Sequence, residues 1–246
     1  MTDVDLSDLA RAHDGSAPLR GYLSTPSGSG PWPGVVMIHE IFGLDDVMLR
    51  HADKLAGFGY LTLAVDLFSA GSTPRCLAAT MTAMLRGRGR AFADIAAGRR
   101  YLADSPDCTG KIGTVGFCMG GGFALLTASD GYDAAAVNYG QLPRNLDTVV
   151  AHACPIVASY GGRDPSLRGA ARRLDSALAN AGIPRDIEEY PNASHAFLND
   201  AEAGPRPLRP LLRVAGIGPE PTSAKDAWRR IELFFATHLQ GSPHHQ

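Results

Sequence analysis

The run Gly116-Phe-Cys-Met-Gly-Gly-Gly122 restricts what this chain can fold into more than any other segment. An apolar stretch, residues 111–115, precedes the run, and a stretch of small and apolar residues, 123–129, follows it. A strand, a sharp turn and a helix in this order place Cys118 at the apex of the turn, with its sulfur exposed at the edge of a sheet. Glycines two positions before and after the apex are typical of such a strained turn, because side chains there have no room.

Short apolar runs alternate with stretches of helical length along most of the chain. Predicted strands cover residues 34–38, 60–65, 111–115, 134–138, 155–160 and 186–190, and predicted helical regions cover 46–57, 75–103, 119–129, 166–181 and 224–239. Strands separated by helix-length segments indicate an α/β fold, in which helices cover both faces of a mostly parallel, twisted sheet.

The length of the chain, 246 residues, is ordinary for one α/β domain. We expect a single domain over 1–246, with its core in residues 18–240. Residues 201–222 are rich in Pro, Gly and Arg and predict a surface excursion. Residues 241–246 predict a disordered tail.

The charge and the cysteine content exclude several functional classes. The net charge of −2 gives no reason to expect a nucleic-acid partner, and no apolar run is long enough to predict a membrane span. The N-terminus lacks the basic and apolar regions of a signal peptide, so we expect a cytoplasmic protein. The four cysteines show no close-pair spacing, which predicts free thiols rather than a metal site or a disulfide framework.

A thiol at the apex of such a turn needs a base and a group that orients the base. Asp164 follows the predicted strand 155–160, and His195 follows the predicted strand 186–190. Taken singly, Asp164 is an ordinary turn residue and His195 an ordinary loop histidine. Nucleophile, acid and histidine in this order, each just after a strand, are the α/β-hydrolase arrangement. We therefore predict a catalytic triad of Cys118, Asp164 and His195.

The loop His39-Glu40-Ile41 follows the predicted strand 34–38. In this fold that loop supplies one backbone N–H of the oxyanion hole, and the residue after the nucleophile supplies the other. The two donors are predicted to be Ile41 and Met119. Glu40 has two interpretations: a surface glutamate at the end of a strand, or a carboxyl group that hydrogen-bonds the thiol and helps to deprotonate it when substrate arrives.

Four segments together resemble the dienelactone hydrolase family: 116–121, 39–43, 161–165 and 194–197. The resemblance extends from about residue 19 to residue 239. It implies a cysteine hydrolase of enol-lactones or related activated esters, without a cofactor or a metal. It also implies that the family's triad falls on Cys118, Asp164 and His195, and that the family's thiol-activating glutamate falls on Glu40.

The resemblance also implies two arginines that hold a carboxylate of the substrate, and here this chain departs from the pattern. Four residues after His195 the chain has Asn199, which disfavours dienelactone itself as the natural substrate. Arg75 or Arg86 is a candidate for the second arginine. The other candidate substrate-binding residues are Tyr139, Phe197 and Asn199. The excursion has two interpretations. It is either a solvated flap, or a segment whose arginines, Arg206, Arg209 and Arg213, replace the positive charge that is missing at position 199.

Two further functions stay open at this point. A general carboxylesterase or thioesterase would use the same triad, and a relative that had lost catalysis would bind a ligand on the same scaffold. The expected partner is a small-molecule ester or lactone, and the expected state is a monomer or a weak homodimer.

Overall fold

The computed structural model describes residues 2–202, 204, 207, 209–214 and 216–240. The predicted tail at 241–246 and Arg206 lie outside the described residues. Over the described ranges the chain forms an eight-stranded sheet with the strand order β1-β2-β4-β3-β5-β6-β7-β8. The strands are β1 (Thr2–Asp5), β2 (Arg20–Ser24), β3 (Trp32–Ile38), β4 (Leu61–Asp66), β5 (Cys108–Phe117), β6 (Ala134–Asn138), β7 (Ile156–Gly161) and β8 (Arg185–Tyr190). Neighbours from β4 to β8 pair in parallel, whereas β1 and β2 add antiparallel pairings at one edge.

The helices are α1 (Ser7–Arg11), α2 (Asp46–Gly57), α3 (Thr73–Arg86), α4 (Arg90–Ala103), α5 (Met119–Leu126), α6 (Leu146–Val150), α7 (Ala170–Asn180), α8 (Arg209–Val214) and α9 (Pro221–Phe235). A π-helical segment, Ala236–Gln240, continues α9. The predicted helical region 75–103 is divided into α3 and α4. The division follows from Gly87, which caps α3 in the left-handed conformation at φ 65°, and from Gly89, which has φ 132°.

The hydrophobic core lies on both faces of the sheet. Residues 35–38 of β3 are all fully buried, as continuous apolar runs in central parallel strands predict. On one face, helix α3 contacts both α4 and α5, and the ring of Phe92 in α4 lies 5.2 Å from that of Phe123 in α5. On the other face α2 packs near α9, where the ammonium group of Lys54 lies 4.7 Å from the ring centre of Trp228. The predicted α/β architecture is therefore confirmed.

The parallel strands bring five polar residues to one edge of the sheet. Glu40 follows β3, Cys118 follows β5, Tyr139 follows β6, Asp164 follows β7 and His195 follows β8. Because the carboxyl ends of parallel strands meet at the same edge, residues from five separate segments converge there. Over the described part of the chain, none of the helices has both the length and the apolar character that crossing a bilayer requires.

Candidate active site

Cys118 occupies a strained turn between β5 and α5, with φ 54° and ψ −115°. The packing around the turn explains the flanking glycines. A Cβ atom on Gly116 would lie 1.9 Å from the carbonyl oxygen of Gly120, and a Cβ atom on Gly120 would lie 2.1 Å from the carbonyl oxygen of Ile38. The predicted strand, turn and helix are therefore present, and the two glycines are sterically required.

His195 and Asp164 form a short hydrogen bond at the ends of β8 and β7. The Nδ1 atom of His195 lies 2.6 Å from Oδ2 of Asp164. The other oxygen, Oδ1, accepts hydrogen bonds from the backbone N–H of Ser166 at 2.9 Å and from its hydroxyl at 2.6 Å. Burial opposes ionisation of Asp164, but the bonds from His195 and Ser166 outweigh it and lower the pKa of this carboxyl group. Asp164 is thus an anion that orients the imidazole.

The thiol group of Cys118 and the imidazole of His195 line the same cavity. Burial disfavours the imidazolium form, but the hydrogen bonds to Asp164 and Cys118, together with the charges of both groups, raise the pKa of His195 to about 10. At neutral pH the histidine is therefore protonated.

Glu40 is buried, with only 3% of its surface exposed, so its interpretation as a surface glutamate is wrong. Its Oε1 atom accepts a hydrogen bond from the hydroxyl of Tyr139 at 3.1 Å, and Oε2 accepts one from the Asn199 amide at 3.3 Å. Burial raises the pKa of Glu40, while the bond from Asn199, the charge of His195 and the bond from Tyr139 act in the opposite direction. Burial has the larger effect, which favours a neutral carboxyl group.

His39 holds the loop that carries Glu40. Its Nδ1–H donates to the carbonyl oxygen of Glu40 at 2.7 Å, and its Nε2 accepts from the backbone N–H of Leu67 at 3.1 Å. The ring is fully buried, which lowers its pKa and keeps it neutral. The sequence offered the motif at 39–43 but not this anchoring role, because the Leu67 contact is 28 positions away.

A cavity of about 390 Å³ opens at this edge of the sheet and is lined by Cys118, His195, Asp164, Glu40, Tyr139 and Asn199. Ile41 and Met119, the predicted oxyanion donors, also line it. Met119 is the first residue of α5, so its N–H is among those that the helix leaves without an internal partner. Much of the remaining wall is apolar and comes from Phe42, Met81, Met84, Leu212 and Ile217.

The apolar wall is not predictable from the sequence. Met81 and Met84 lie three positions apart on α3, a spacing that places both on one helix face, but that spacing equally fits ordinary core packing. Leu212 and Ile217 belong to the excursion, which is attached to the loop of His195 because the N–H of Gly218 donates to the carbonyl oxygen of His195 at 3.0 Å. The excursion thus forms part of the cavity wall.

The structure does not bring every predicted substrate-binding residue to this cavity. Arg75 is exposed and lines a separate cavity with Asp94, and Arg86 is exposed at the end of α3. Phe197 is fully buried and packs against the ring of Tyr139 at 5.7 Å between ring centres. Arg209 of the excursion does line the cavity, together with Glu202. The side chain of Arg213 is not among those described.

No group of three or more His, Cys, Asp or Glu side chains is arranged to hold a metal ion within the described ranges. The four cysteines are free thiols.

The parallel sheet, the strained turn and the order Cys118, Asp164, His195 define an α/β-hydrolase. The crystal structure of dienelactone hydrolase from Anabaena variabilis ATCC 29413 superposes with a TM-score of 0.65 at 20% identity and covers 97% of each chain. A sequence model of the dienelactone hydrolase family matches residues 19–239. The chain belongs to the dienelactone hydrolase family, whose members are hydrolytic enzymes.

Two relatives show the extent of the similarity. The carboxymethylenebutenolidase of Rhodococcus opacus is 28% identical over 237 residues, which span 89% of this chain and 86% of the relative. The carboxymethylenebutenolidase of Pseudomonas putida is 28% identical over 198 residues, which span 75% of this chain and 83% of the relative. The similarity therefore covers most of this chain and most of each relative.

Proposed function

We propose that this chain hydrolyses lactones or activated esters, with Cys118 as the nucleophile, His195 as the proton carrier and Asp164 as the group that orients the histidine. The observation that supports the triad most directly is the 2.6 Å contact between His195 and Asp164 in a cavity that Cys118 also lines. The names of the two relatives, carboxymethylenebutenolidases, support the lactone as the substrate class.

The first half-reaction forms a thioester. The substrate carbonyl lies with its oxygen toward the backbone N–H groups of Ile41 and Met119, and the thiolate of Cys118 attacks the carbonyl carbon. When the tetrahedral intermediate collapses, the bond to the leaving oxygen breaks and the protonated His195 donates its proton to that oxygen. The raised pKa of His195 provides the imidazolium that this step needs.

The second half-reaction releases the acid. His195 is now neutral, takes a proton from a water molecule, and the resulting hydroxide attacks the thioester carbonyl. Collapse of the second tetrahedral intermediate expels the Cys118 thiolate and restores the ion pair with His195. Burial raises the pKa of Glu40, which reduces the repulsion between this carboxyl group and the oxyanion of either intermediate.

The choice of sulfur supports activated substrates. A thiolate is a strong nucleophile but a better leaving group than an alkoxide, so its attack on an ordinary alkyl ester or an amide tends to reverse. An enol-lactone or an aryl ester expels a weakly basic oxygen and escapes this reversal. The apolar wall formed by Met81, Met84 and Leu212 also favours a predominantly apolar substrate.

The decisive experiment compares wild-type protein with Cys118→Ala on enol-lactones, an aryl acetate and an alkyl ester. We expect the wild type to hydrolyse the enol-lactones and the aryl acetate faster than the alkyl ester. We expect Cys118→Ala to lose activity on the enol-lactones and on the aryl acetate. Cys76→Ala is the matched control, because Cys76 does not line this cavity and donates to the carbonyl oxygen of Phe68 at 3.6 Å. Undiminished turnover by Cys118→Ala would contradict the proposed nucleophile.

Binding without turnover in the same assays would instead indicate a non-catalytic relative, and preference for simple esters or thioesters would indicate a general esterase. The cytoplasmic location, the small-molecule partner and the monomeric or weakly dimeric state stay predictions. Sedimentation velocity over a range of protein concentrations measures the last of these.

A further inference from the structure

We propose that His51 and Asn199 act as positioning residues that hold Glu40 beside the nucleophile, an inference that rests on the proposed function. The Nε2 atom of His51 lies 3.1 Å from Oδ1 of Asn199, and the Asn199 amide nitrogen lies 3.3 Å from Oε2 of Glu40. His51 and Asn199 are 3% and 2% exposed, respectively. The three side chains form a buried chain of hydrogen bonds that reaches from α2 to the cavity of Cys118.

His51 determines which way the amide of Asn199 faces. An amide presents an acceptor at one end and donors at the other, so either end can in principle face Glu40. Burial lowers the pKa of His51 to about 4, which leaves a neutral ring at neutral pH with one N–H. Oδ1 of Asn199 faces Nε2 of His51, an arrangement that requires the neutral tautomer with its proton on Nε2, and the opposite end of the amide, its NH₂ group, faces Glu40.

Packing fixes the ring of His51 in turn. Its centre lies 4.8 Å from the ring of Phe117, the residue before the nucleophile, and 5.1 Å from the ring of Trp228. The indole N–H of Trp228 donates to the carbonyl oxygen of Leu198, the residue before Asn199, at 3.3 Å. Helices α2 and α9 therefore hold both ends of the hydrogen bond between His51 and Asn199.

The consequence concerns the charge state of Glu40. The polar and charged groups that affect the pKa of Glu40 are Tyr139, Asn199, His195 and Asp45. The groups that affect the pKa of His51 are Asn199, Asp200, Lys54 and Arg50. Tyr139 and Asn199 are neutral donors that occupy both carboxyl oxygens. A donor favours the ionised form of a carboxyl group, whereas an amide oxygen turned toward it favours the protonated form. Loss of His51 should therefore make Glu40 harder to ionise.

The test is an infrared titration of the protonated carboxyl band, which Glu40→Gln assigns to Glu40 by removing it. We expect the band to persist to higher pH in His51→Leu than in the wild type, by about one pH unit. His51→Gln, whose amide nitrogen can reach the position of Nε2, should titrate as the wild type does. Phe58→Leu is the packing control, since Phe58 contacts Trp228 at 6.3 Å between ring centres without joining the hydrogen bonds.

Kinetics provide the second readout. His51→Leu should lower kcat about tenfold, because a displaced carboxyl group affects the transition state, and leave KM within about twofold. His51→Gln should restore kcat. An unchanged titration in His51→Leu, or equal defects in His51→Leu and His51→Gln, would overturn the proposal. If His51→Leu does not fold, Asn199→Leu must show the same upward shift of the carboxyl band.

The two readouts separate this proposal from the proposed function. If no lactone or ester is hydrolysed by the wild type, the proposed function fails, while the infrared titration still decides whether His51 controls Glu40. If the wild type is an active hydrolase and the titration does not move, the positioning role fails and the hydrolase stands.

Discussion

Nδ1 of His195 lies 2.6 Å from Oδ2 of Asp164, although 31 positions separate the two residues in the chain. The contact forms because each residue follows the carboxyl end of one of two adjacent parallel strands, β7 and β8. Ser166 then fixes the second carboxyl oxygen, so the carboxylate has one orientation toward the imidazole. The contact between His195 and Asp164 therefore contributes both to the stability of the folded chain and to its proposed chemistry.

The first prediction concerns the pH dependence of stability. The folded pKa of His195, about 10, exceeds its unfolded value, about 6.5, so its contribution is fully present below pH ~6.5 and is lost as pH rises through about 10. The lowered pKa of Asp164 contributes stability above pH ~3.9 that is lost on acidification. We expect the excess stability of the wild type over Asp164→Asn to be largest near pH ~5–6.5 and to shrink toward pH 10.

Urea unfolding at a series of pH values measures this difference. Asp175→Asn is the matched control, because it removes a carboxylate from an ion pair with Arg185 at the surface rather than from the contact with His195. A difference between wild type and Asp164→Asn that stayed constant from pH 6 to pH 10 would contradict the ion pair.

The second prediction concerns thiol reactivity. Iodoacetamide at pH 7 should alkylate Cys118 faster than Cys154, because Cys118 lines the open cavity together with His195, whereas burial raises the pKa of Cys154 to about 12. Peptide mapping by mass spectrometry measures both rates in one sample. We expect Asp164→Asn to slow the labelling of Cys118 only. Equal rates at the two cysteines would argue against an activated thiol.

The third prediction concerns the turn at Cys118. Gly120→Ala places a Cβ atom 2.1 Å from the carbonyl oxygen of Ile38, so we expect a loss of at least about 3 kcal/mol in the free energy of unfolding. Gly57→Ala, at the end of α2, meets nothing within 4 Å and should change stability by less than about 1 kcal/mol, toward greater stability. Thermal or urea unfolding of the two variants compares them, and similar behaviour would refute the steric account.

The fourth prediction concerns substrate charge. Arg209 lines the cavity, whereas Arg75 lines another one. We expect Arg209→Gln to raise KM for a lactone that bears a carboxylate by about two- to fivefold, the effect of a partly exposed charge pair, and to leave a neutral lactone unchanged. Arg75→Gln should affect neither substrate. The reverse result, with Arg75 controlling the charged lactone, would restore the assignment that the sequence suggested.

The parallel part of the fold was predictable because central strands such as 34–38 and 134–138 are short, continuous apolar runs between helix-length segments. The antiparallel edge was not predicted. Strand β1, Thr2–Asp5, is mainly polar and exposed, and its pairing with β2 gives no apolar pattern to detect. Gly87 and Gly89 were visible, but glycine alone does not tell a helix break from a tolerated interior residue.

The amino-acid sequence alone determined the turn at Cys118 and the order of the three candidate catalytic residues, because glycine spacing and position after a strand are local properties. Only the tertiary structure decided the surroundings of Glu40. Its partners Tyr139 and Asn199 are 99 and 159 positions away, and His51, which orients Asn199, is 148 positions from that residue. A pKa and a cavity wall depend on burial and on distances between atoms, and these quantities arise when distant segments pack together.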